Sequence, residues 1–333
     1  MPPEAATFDG PRGPHPLRRA LAQNIGLVLA GSIFTACVIA YLAVFIVQER
    51  RLPGAFEITS TLDSAMPLIF AAAGQSLVIL TKGIDLSVGG VVDLTNAMAA
   101  VLMGKTLGSA LFWSVVILAV GGLCGLVNGL FVAVGRLPPI VVTLATLSIF
   151  QGLAIFVLPE PGGAIPASYS ALLVNGDMPW SFLYVIALGI GWYGFRRSRW
   201  GVNLFAIGND EGASRGLGID VLRTKLVAYV LDGALAAAAG LFLAANATAG
   251  DATSGNSYTL TSIVAVVLGG VSLFGGRGSM IGAVIGGLIT TMIVNILFFG
   301  HVNPLYHSFY EGLFLVVAVI AGGFLGQVIG GGR

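Results

Sequence analysis

Four carboxylates stand where a carboxylate is hardest to place. Asp85, Asp93, Asp232 and Glu311 lie within or beside long apolar runs. At such depth an ionisable group defaults to a functional candidate, for example an ion or proton carrier. Asp85 belongs to the sharpest motif of the chain, Gly83-Ile84-Asp85-Leu86-Ser87-Val88-Gly89-Gly90, which joins two apolar runs with almost no polar linker. Asp and Ser accept hydrogen bonds from the free N–H groups that open a helix, and the flanking glycines permit a tight re-entry. Two readings follow. Asp85 faces water or caps the next helix at the membrane surface, or the motif is a gate or pathway element.

Covalent and metal chemistry find no support in the spacing. Gly104-Lys105-Thr106 looks like the end of a phosphate-binding loop, but Ala99 occupies the position of the required upstream glycine. Gly276-Arg277-Gly278 with Gly282 sits in a short turn with no flanking strand. His15, His301 and His307 are scattered and suggest no metal cluster. A membrane-embedded enzyme would need a convergent acid, base or metal cluster, and none is visible. No cofactor is expected in this chain.

The second candidate is a polar island at 196–225. Its 30 residues hold nine of the chain's 31 charged side chains: Arg196, Arg197, Arg199, Asp210, Glu211, Arg215, Asp220, Arg223 and Lys225. Trp200 to Ile207 reads as the end of one element. Asn209 or Asp210 caps a short helix through Ala213 and Arg215. Gly216 and Gly218 offer a stop, and Asp220 caps the next helix. The expectation is a structured docking element at the membrane surface.

The elements that must position these residues are membrane helices. Of the 333 residues, 56% are hydrophobic and 9% charged, with a mean hydropathy of +0.93. Soluble domains carry about 25% charged residues. An all-α polytopic fold follows, because spanning backbone must satisfy its own hydrogen bonds. Ten spans are predicted, at 24–47, 62–81, 88–104, 110–134, 140–158, 181–195, 226–246, 259–273, 280–299 and 308–329. Residues 1–22 read as a Pro-rich disordered cytoplasmic tail, and 23–330 as a single transmembrane domain. With both termini cytoplasmic, 13 of the 16 Lys and Arg fall inside and three (Arg50, Arg51, Lys105) outside. The net charge of +1 leaves no nucleic-acid footprint. Cys37 and Cys124 lie in apolar spans and read as packing residues. Glycines four apart (121, 125 and 129; 282 and 286; 322, 326 and 330) predict close helix packing. The loop at 159–179 and the segment at 247–258 suit an outer rim.

Several segments together resemble the permease subunit of bacterial ABC importers of the ribose/xylose/galactose class. They are GIDLSVGG (83–90), NGLFVAVGRLPPIVVTLATLSIFQGL (128–153), AIGNDEGASRGLGIDVLRTKLVAYVLDGALAAAAGL (206–241) and AVVLGGVSLFGGRGSMIGAVIGGLI (265–289). The resemblance covers about residues 60–325. It implies a multi-pass protein of the bacterial inner membrane, paired with a second permease copy or homologue. It implies an extracytoplasmic sugar-binding protein and a cytoplasmic ATPase that uses ATP and Mg. The family's coupling pattern falls on Gly208, Asn209 with an offset of one, Ala213 and Gly218-Ile219, so Asn209, Asp210, Glu211, Ala213, Arg215, Gly216, Gly218 and Ile219 are the expected dock. The chain departs from the family around Asn246, at Thr259-Leu260-Thr261 and at Glu311.

A monosaccharide crossing the membrane needs groups that replace its water. The candidates are Asp85, Ser87, Asn96, Asn128, Thr143, Gln151, Asn246 and Asn295, and the six residues from Asn96 onward could equally join helices to one another. The competing expectation is an ion-coupled secondary transporter using Asp85, Asp93, Asp232 and Glu311, against which the structured island would lack a purpose.

Overall fold

A computed structural model describes residues 25–175 and 180–306, with a few single positions between 309 and 316. Among the described residues the fold is all-helical, with one isolated antiparallel bridge between Gly162 and Gly250. The helices are α1 (Ile25–Glu49), α2 (Ala55–Leu80), α3 (Val88–Leu102), α4 (Leu107–Gly129, ending in a π turn at Leu130–Val134), α5 (Pro139–Val157) and α6 (Ala167–Leu173). They continue as α7 (Trp180–Arg197), α8 (Arg199–Asn209), α9 (Glu211–Gly216), α10 (Val221–Ala247), α11 (Tyr258–Leu268) and α12 (Met280–Phe299). Six of them, α1, α2, α4 with its π turn, α5, α10 and α12, are long and apolar enough to cross a membrane.

Most expected spans coincide with helices to within a few residues. α2 starts seven residues before its expected position because Glu57 reaches back to the Gly54 N–H at 2.7 Å and fixes an earlier first turn. Gly269-Gly270, the second at φ +76°, ends α11 earlier than expected. Trp200 to Ile207, read as the end of one element, belongs to a helix of its own that ends at Asn209. Ser198 accepts from Gly201 N–H at 3.4 Å and opens a separate helix, α8. The expected tail at 1–22, all but a few positions of the span at 308–329, its Glu311, and the glycines beyond 320 lie outside the described residues.

Two helices are too short to span. α3 has 15 residues and α11 has 11, about 22 and 16 Å at 1.5 Å per residue, against an apolar thickness of about 30 Å. Each is preceded by non-helical chain: 83–87 before α3 is buried or half-buried throughout, and 248–257 before α11 is partly exposed, with Gly250, Ala252 and Gly255 turned inward. α3 is buried on nearly every side, as a helix at the centre of a bundle must be. It packs against α5, α10, α4 and α11.

Small residues bring the surrounding helices close. A Cβ at Gly125 would collide with the Tyr229 carbonyl, and one at Gly121 or Gly233 with the facing backbone, so α4 and α10 meet backbone to backbone. Gly282 and Gly286 meet Gly269 and Ala265 in the same way between α12 and α11. Cys37 and Cys124 are buried free thiols, as expected. Replacing Gly125 with Leu is expected to remove at least about 3 kcal/mol of packing. The protein in detergent should lose its single monodisperse peak, whereas Gly189→Ala, with open space around it, should elute and melt as the parent does.

Candidate functional site: two buried polar clusters and a charged end

The first cluster forms where the chain leaves α2. Asp85 is buried, so it does not face water. It does not cap the N–H groups inside α3 either. Its Oδ1 accepts from the Ser87 N–H at 2.7 Å and from the Ser87 hydroxyl at 2.6 Å. This local turn holds extended chain that no helix ladder serves. Asn128 of α4 donates to Asp85 Oδ2 at 3.2 Å and to Ser87 Oγ at 2.7 Å, and accepts from Thr146 of α5 at 2.7 Å. Thr143 donates to the Pro139 carbonyl at 2.9 Å and reaches the Ile84 carbonyl at 3.4 Å. With its amide placed to satisfy both partners, Gln75 brackets the Asp85 backbone, donating to the carbonyl at 3.0 Å and accepting from the N–H at 3.3 Å. Asp232 of α10 lies within electrostatic reach of Asp85. The two buried carboxyls face each other, and no other group bonds the Asp232 oxygens among the described residues.

The second cluster joins the middle of α3 to the 248–257 strap. Asp93 Oδ1 accepts from the Gly255 N–H at 2.5 Å, Asn96 Oδ1 from the Asp251 N–H at 2.8 Å, and Gln151 of α5 donates to Asn256 Oδ1 at 2.5 Å. Asp251 Oδ1 accepts from both the N–H and the hydroxyl of Thr253, at 2.9 and 2.8 Å. The Asp–x–Ser turn at 85–87 and the Asp–x–Thr turn at 251–253 therefore solve the same problem ahead of the two short helices. Asp93 Oδ2 and Thr259 Oγ1 remain buried without a partner among the described residues.

The clusters gather four of the eight expected pathway residues (Asp85, Ser87, Asn128, Thr143) in one place and two (Asn96, Gln151) in another. The remaining two belong to neither. Asn295 donates to Thr61 Oγ1 at 3.1 Å and ties α12 to α2, and Asn246 is exposed at the end of α10. Gln75, Thr146, Asp251 and Asn256 were not anticipated. They are ordinary polar residues in or beside apolar runs, and only their three-dimensional neighbours single them out.

The island folds as its caps predict. Asp210 Oδ1 accepts from the Ala213 N–H at 2.9 Å and opens α9. The Ile219 and Gly218 N–H groups close it on the carbonyls of Ser214 and Arg215, both at 3.0 Å, with Gly218 left-handed at φ +78°. Asp220 Oδ1 then accepts from the Arg223 N–H at 3.0 Å and opens α10. Glu211 ties α9 to α10 through Arg215 and Lys225, each at 2.6 Å. Burial pushes the Glu211 carboxyl up, but the two cations outweigh it and hold it below its ordinary range. Asn209 anchors the island to the bundle. Its carbonyl accepts from Lys82 Nζ at 3.1 Å and its amide reaches the Gly276 carbonyl at 3.5 Å, while the Gly276 N–H donates to the Leu80 carbonyl at 3.0 Å. Gly212, Ala213, Gly216 and Leu217 point outward; Leu217 is 81% exposed and Phe274, on the adjoining loop, 85%. Those two apolar knobs were missed because the charged residues around them dominate the composition.

The connections at 81–87, 196–225 and 269–279 thus meet at one end of α10. Those at 158–166 and 248–252 meet at the other, where the Gly162 and Gly250 backbones exchange hydrogen bonds of 2.9 and 2.8 Å. The two ends are separated by the length of α10, 27 residues or about 40 Å. Charge collects at the first end. Such a bundle, with polar clusters at its heart and a capped helix at one mouth, is a membrane transport scaffold.

Comparison with known proteins places it more closely. The model of the branched-chain amino acid transport system / permease component family matches residues 57–319. The ribose import permease protein RbsC of Haemophilus influenzae is 34% identical over 268 residues, 77% of this chain and 81% of that protein. The autoinducer 2 import system permease protein LsrC of Klebsiella pneumoniae is 33% identical over 300 residues, 87% of this chain and 86% of that protein. A probable ABC transporter permease protein of Sinorhizobium fredii is 35% identical, with 78% of each chain covered. No solved structure matches. The chain belongs to this family of permease components: it is a multi-pass inner-membrane subunit of an ABC importer.

Replacing Asn128 with Leu would strand Asp85 Oδ2 and remove partners from Ser87 and Thr146. Each buried group left without a partner costs about 1–3 kcal/mol. The thermal midpoint in detergent should fall by several degrees, while Asn246→Ala, at an exposed site, should leave it unchanged.

Proposed function

We propose that this permease moves a monosaccharide or related polyol into the cytoplasm by alternating access, driven by ATP and Mg in a separate ATPase subunit. The observation that carries the reading is the extensive similarity to permeases named for ribose and autoinducer 2 import, each covering more than three quarters of this chain. The two buried clusters supply hydroxyl, amide and carboxylate groups of the kind a polyol needs in place of its water. Asp85, Ser87, Asn96, Asn128, Thr143 and Gln151 are the pathway candidates that these clusters favour. An ion-coupled mechanism gains nothing from the relatives, and Asp85 and Asp93 each already hold backbone that would otherwise be unpaired.

The working unit in this reading is a pair of permeases, either two copies or one with a homologue, each of about ten transmembrane segments, in which α3 and α11 cross together with the non-helical chain before them, with both termini cytoplasmic. It carries an extracytoplasmic sugar-binding protein on the end formed by 158–166 and 248–252. The ATPase docks on the opposite end, against α9, with Ala213, Gly216 and Leu217 as its contact face and Asp210, Glu211 and Gly218 holding that face in shape. Lys82 and Gly276 tie the dock to the chain just before the 83–87 segment, so movement of α9 reaches the first buried cluster through these hydrogen bonds.

Affinity purification from the native membrane should recover an ATPase and a solute-binding protein. Uptake and ATPase recovery should fall at least tenfold in Ala213→Trp and Leu217→Asp, with membrane insertion unchanged. Normal uptake and normal co-purification in both would overturn the assignment of the dock. Screening the recovered binding protein against pentoses, hexoses, polyols and branched-chain amino acids decides the cargo, and a preference for the amino acids would overturn the sugar reading.

A further inference from the structure

Beside the proposed dock lies a groove of about 660 Å³ that neither the buried clusters nor the contact face of α9 uses. Its charged lining is Lys82, Arg136, Glu211, Arg215, Asp220 and Lys225, four cations against two anions. Glu211 is engaged by Arg215 and Lys225, and Asp220 by Arg223. Arg136 has no carboxylate or hydrogen-bond partner among the described residues, and Lys82 spends its ammonium on a carbonyl. Both Lys82 and Arg136 are held left-handed, at φ +65° and +53°, a conformation that long side chains adopt at a cost and that concentrates at binding sites. No side chain caps the first turn of α5, whose Pro138 and Pro139 form another wall.

The lower wall is apolar. Leu137 and Leu222 line the groove and are exposed, and the surface continues along exposed Val134, Ile140, Val141 and Leu144 on the outer faces of α4 and α5. Cations above and a greasy helix face below match one kind of molecule, an acidic headgroup with acyl chains attached. In the orientation that the Lys and Arg distribution requires, this end meets the leaflet where anionic lipids attract basic residues.

We propose that this groove is a binding site for the headgroup of an anionic phospholipid, with Arg136 as its principal ligand and Lys82 in support. The inference goes beyond the transport reading and does not depend on which solute is carried.

The test is equilibrium binding of fluorescent phosphatidylglycerol to the full chain in nonionic detergent, with fluorescent phosphatidylcholine as reference. Phosphatidylglycerol should bind more tightly. Arg136→Gly, which suits the left-handed backbone, and Arg136→Gln should each weaken it about fivefold, the contribution of one basic residue near an anionic surface, while Arg136→Lys should restore it. Arg277→Gln removes another exposed cation of the same end, outside the groove, and should change nothing. Melting curves identify any variant that fails to fold, and either neutral substitution suffices. Equal binding of the two lipids, or equal loss in Arg277→Gln, overturns the proposal. Complete displacement by millimolar inorganic phosphate would make it a free-anion site. Loss of the preference when the ATPase is assembled on the permease would assign the groove to that protein. Both results overturn the lipid assignment.

Discussion

The fold depends on satisfying two stretches of non-helical chain that pack into the bundle, one buried at 83–87 and one partly buried at 248–257. Inside a membrane protein an N–H or carbonyl outside a helix must find a partner in the protein itself, because lipid offers none. Segments 83–87 and 248–257 enter the bundle from opposite ends, and each brings backbone groups that no i→i−4 ladder can serve. Asp85, Gln75 and Thr143 serve the first, and Asp93, Asn96 and Asp251 the second. With those groups paired, α3 and α11 can be shorter than the membrane and sit where a full span would leave no room for a polar interior.

This explains the carboxylates. A lone Asp in an apolar run invites a reading as a proton carrier. Here Asp85 and Asp93 accept from backbone N–H groups at 2.7 and 2.5 Å, and Asp85 is further fixed by Ser87 and Asn128. A buried N–H left without its acceptor costs about 1–3 kcal/mol, so such a carboxyl is a strut before it is anything else. Asp232 differs, because its carboxyl faces Asp85 itself and holds no backbone N–H among the described residues. It stands close to the first cluster without being spent on holding it.

The parts of this architecture differ in how openly the sequence states them. Span positions were legible because composition alone decides what can enter a bilayer. The island was legible almost residue by residue, because caps are local: Asp210, Gly218 and Asp220 act on backbone within three or four positions of themselves. Close approach of α4 and α10 was legible from the glycines at 121 and 125, although not their partner, Gly233. The clusters were legible only as a catalogue of polar residues. Asn128 meets Asp85 across 43 positions and Asn96 meets Asp251 across 155. Nothing in the spacing separates those pairs from Asn295, which ties two helices together elsewhere. The reading of Asp85 as a water-facing residue or helix cap failed for a related reason. A motif of Gly, Asp and Ser looks the same whether the turn lies at the surface or dips inside.

α3 connects these levels. At its N-terminal side Ser87 is locked to Asp85, and Lys82, three residues before Asp85, is locked to the island through Asn209. About two turns further along α3, Asp93 and Asn96 hold the strap that leads to the opposite end. A 15-residue helix is stiff over its length, and α3 is packed on nearly every face, so it cannot bend to absorb a displacement at one side. A shift of the 83–87 segment must therefore appear at the strap, or the hydrogen bonds of one cluster must break. Coupling between the ends of the permease needs no long relay under this constraint, only one short helix with one buried carboxyl just before it, Asp85, and another near its middle, Asp93.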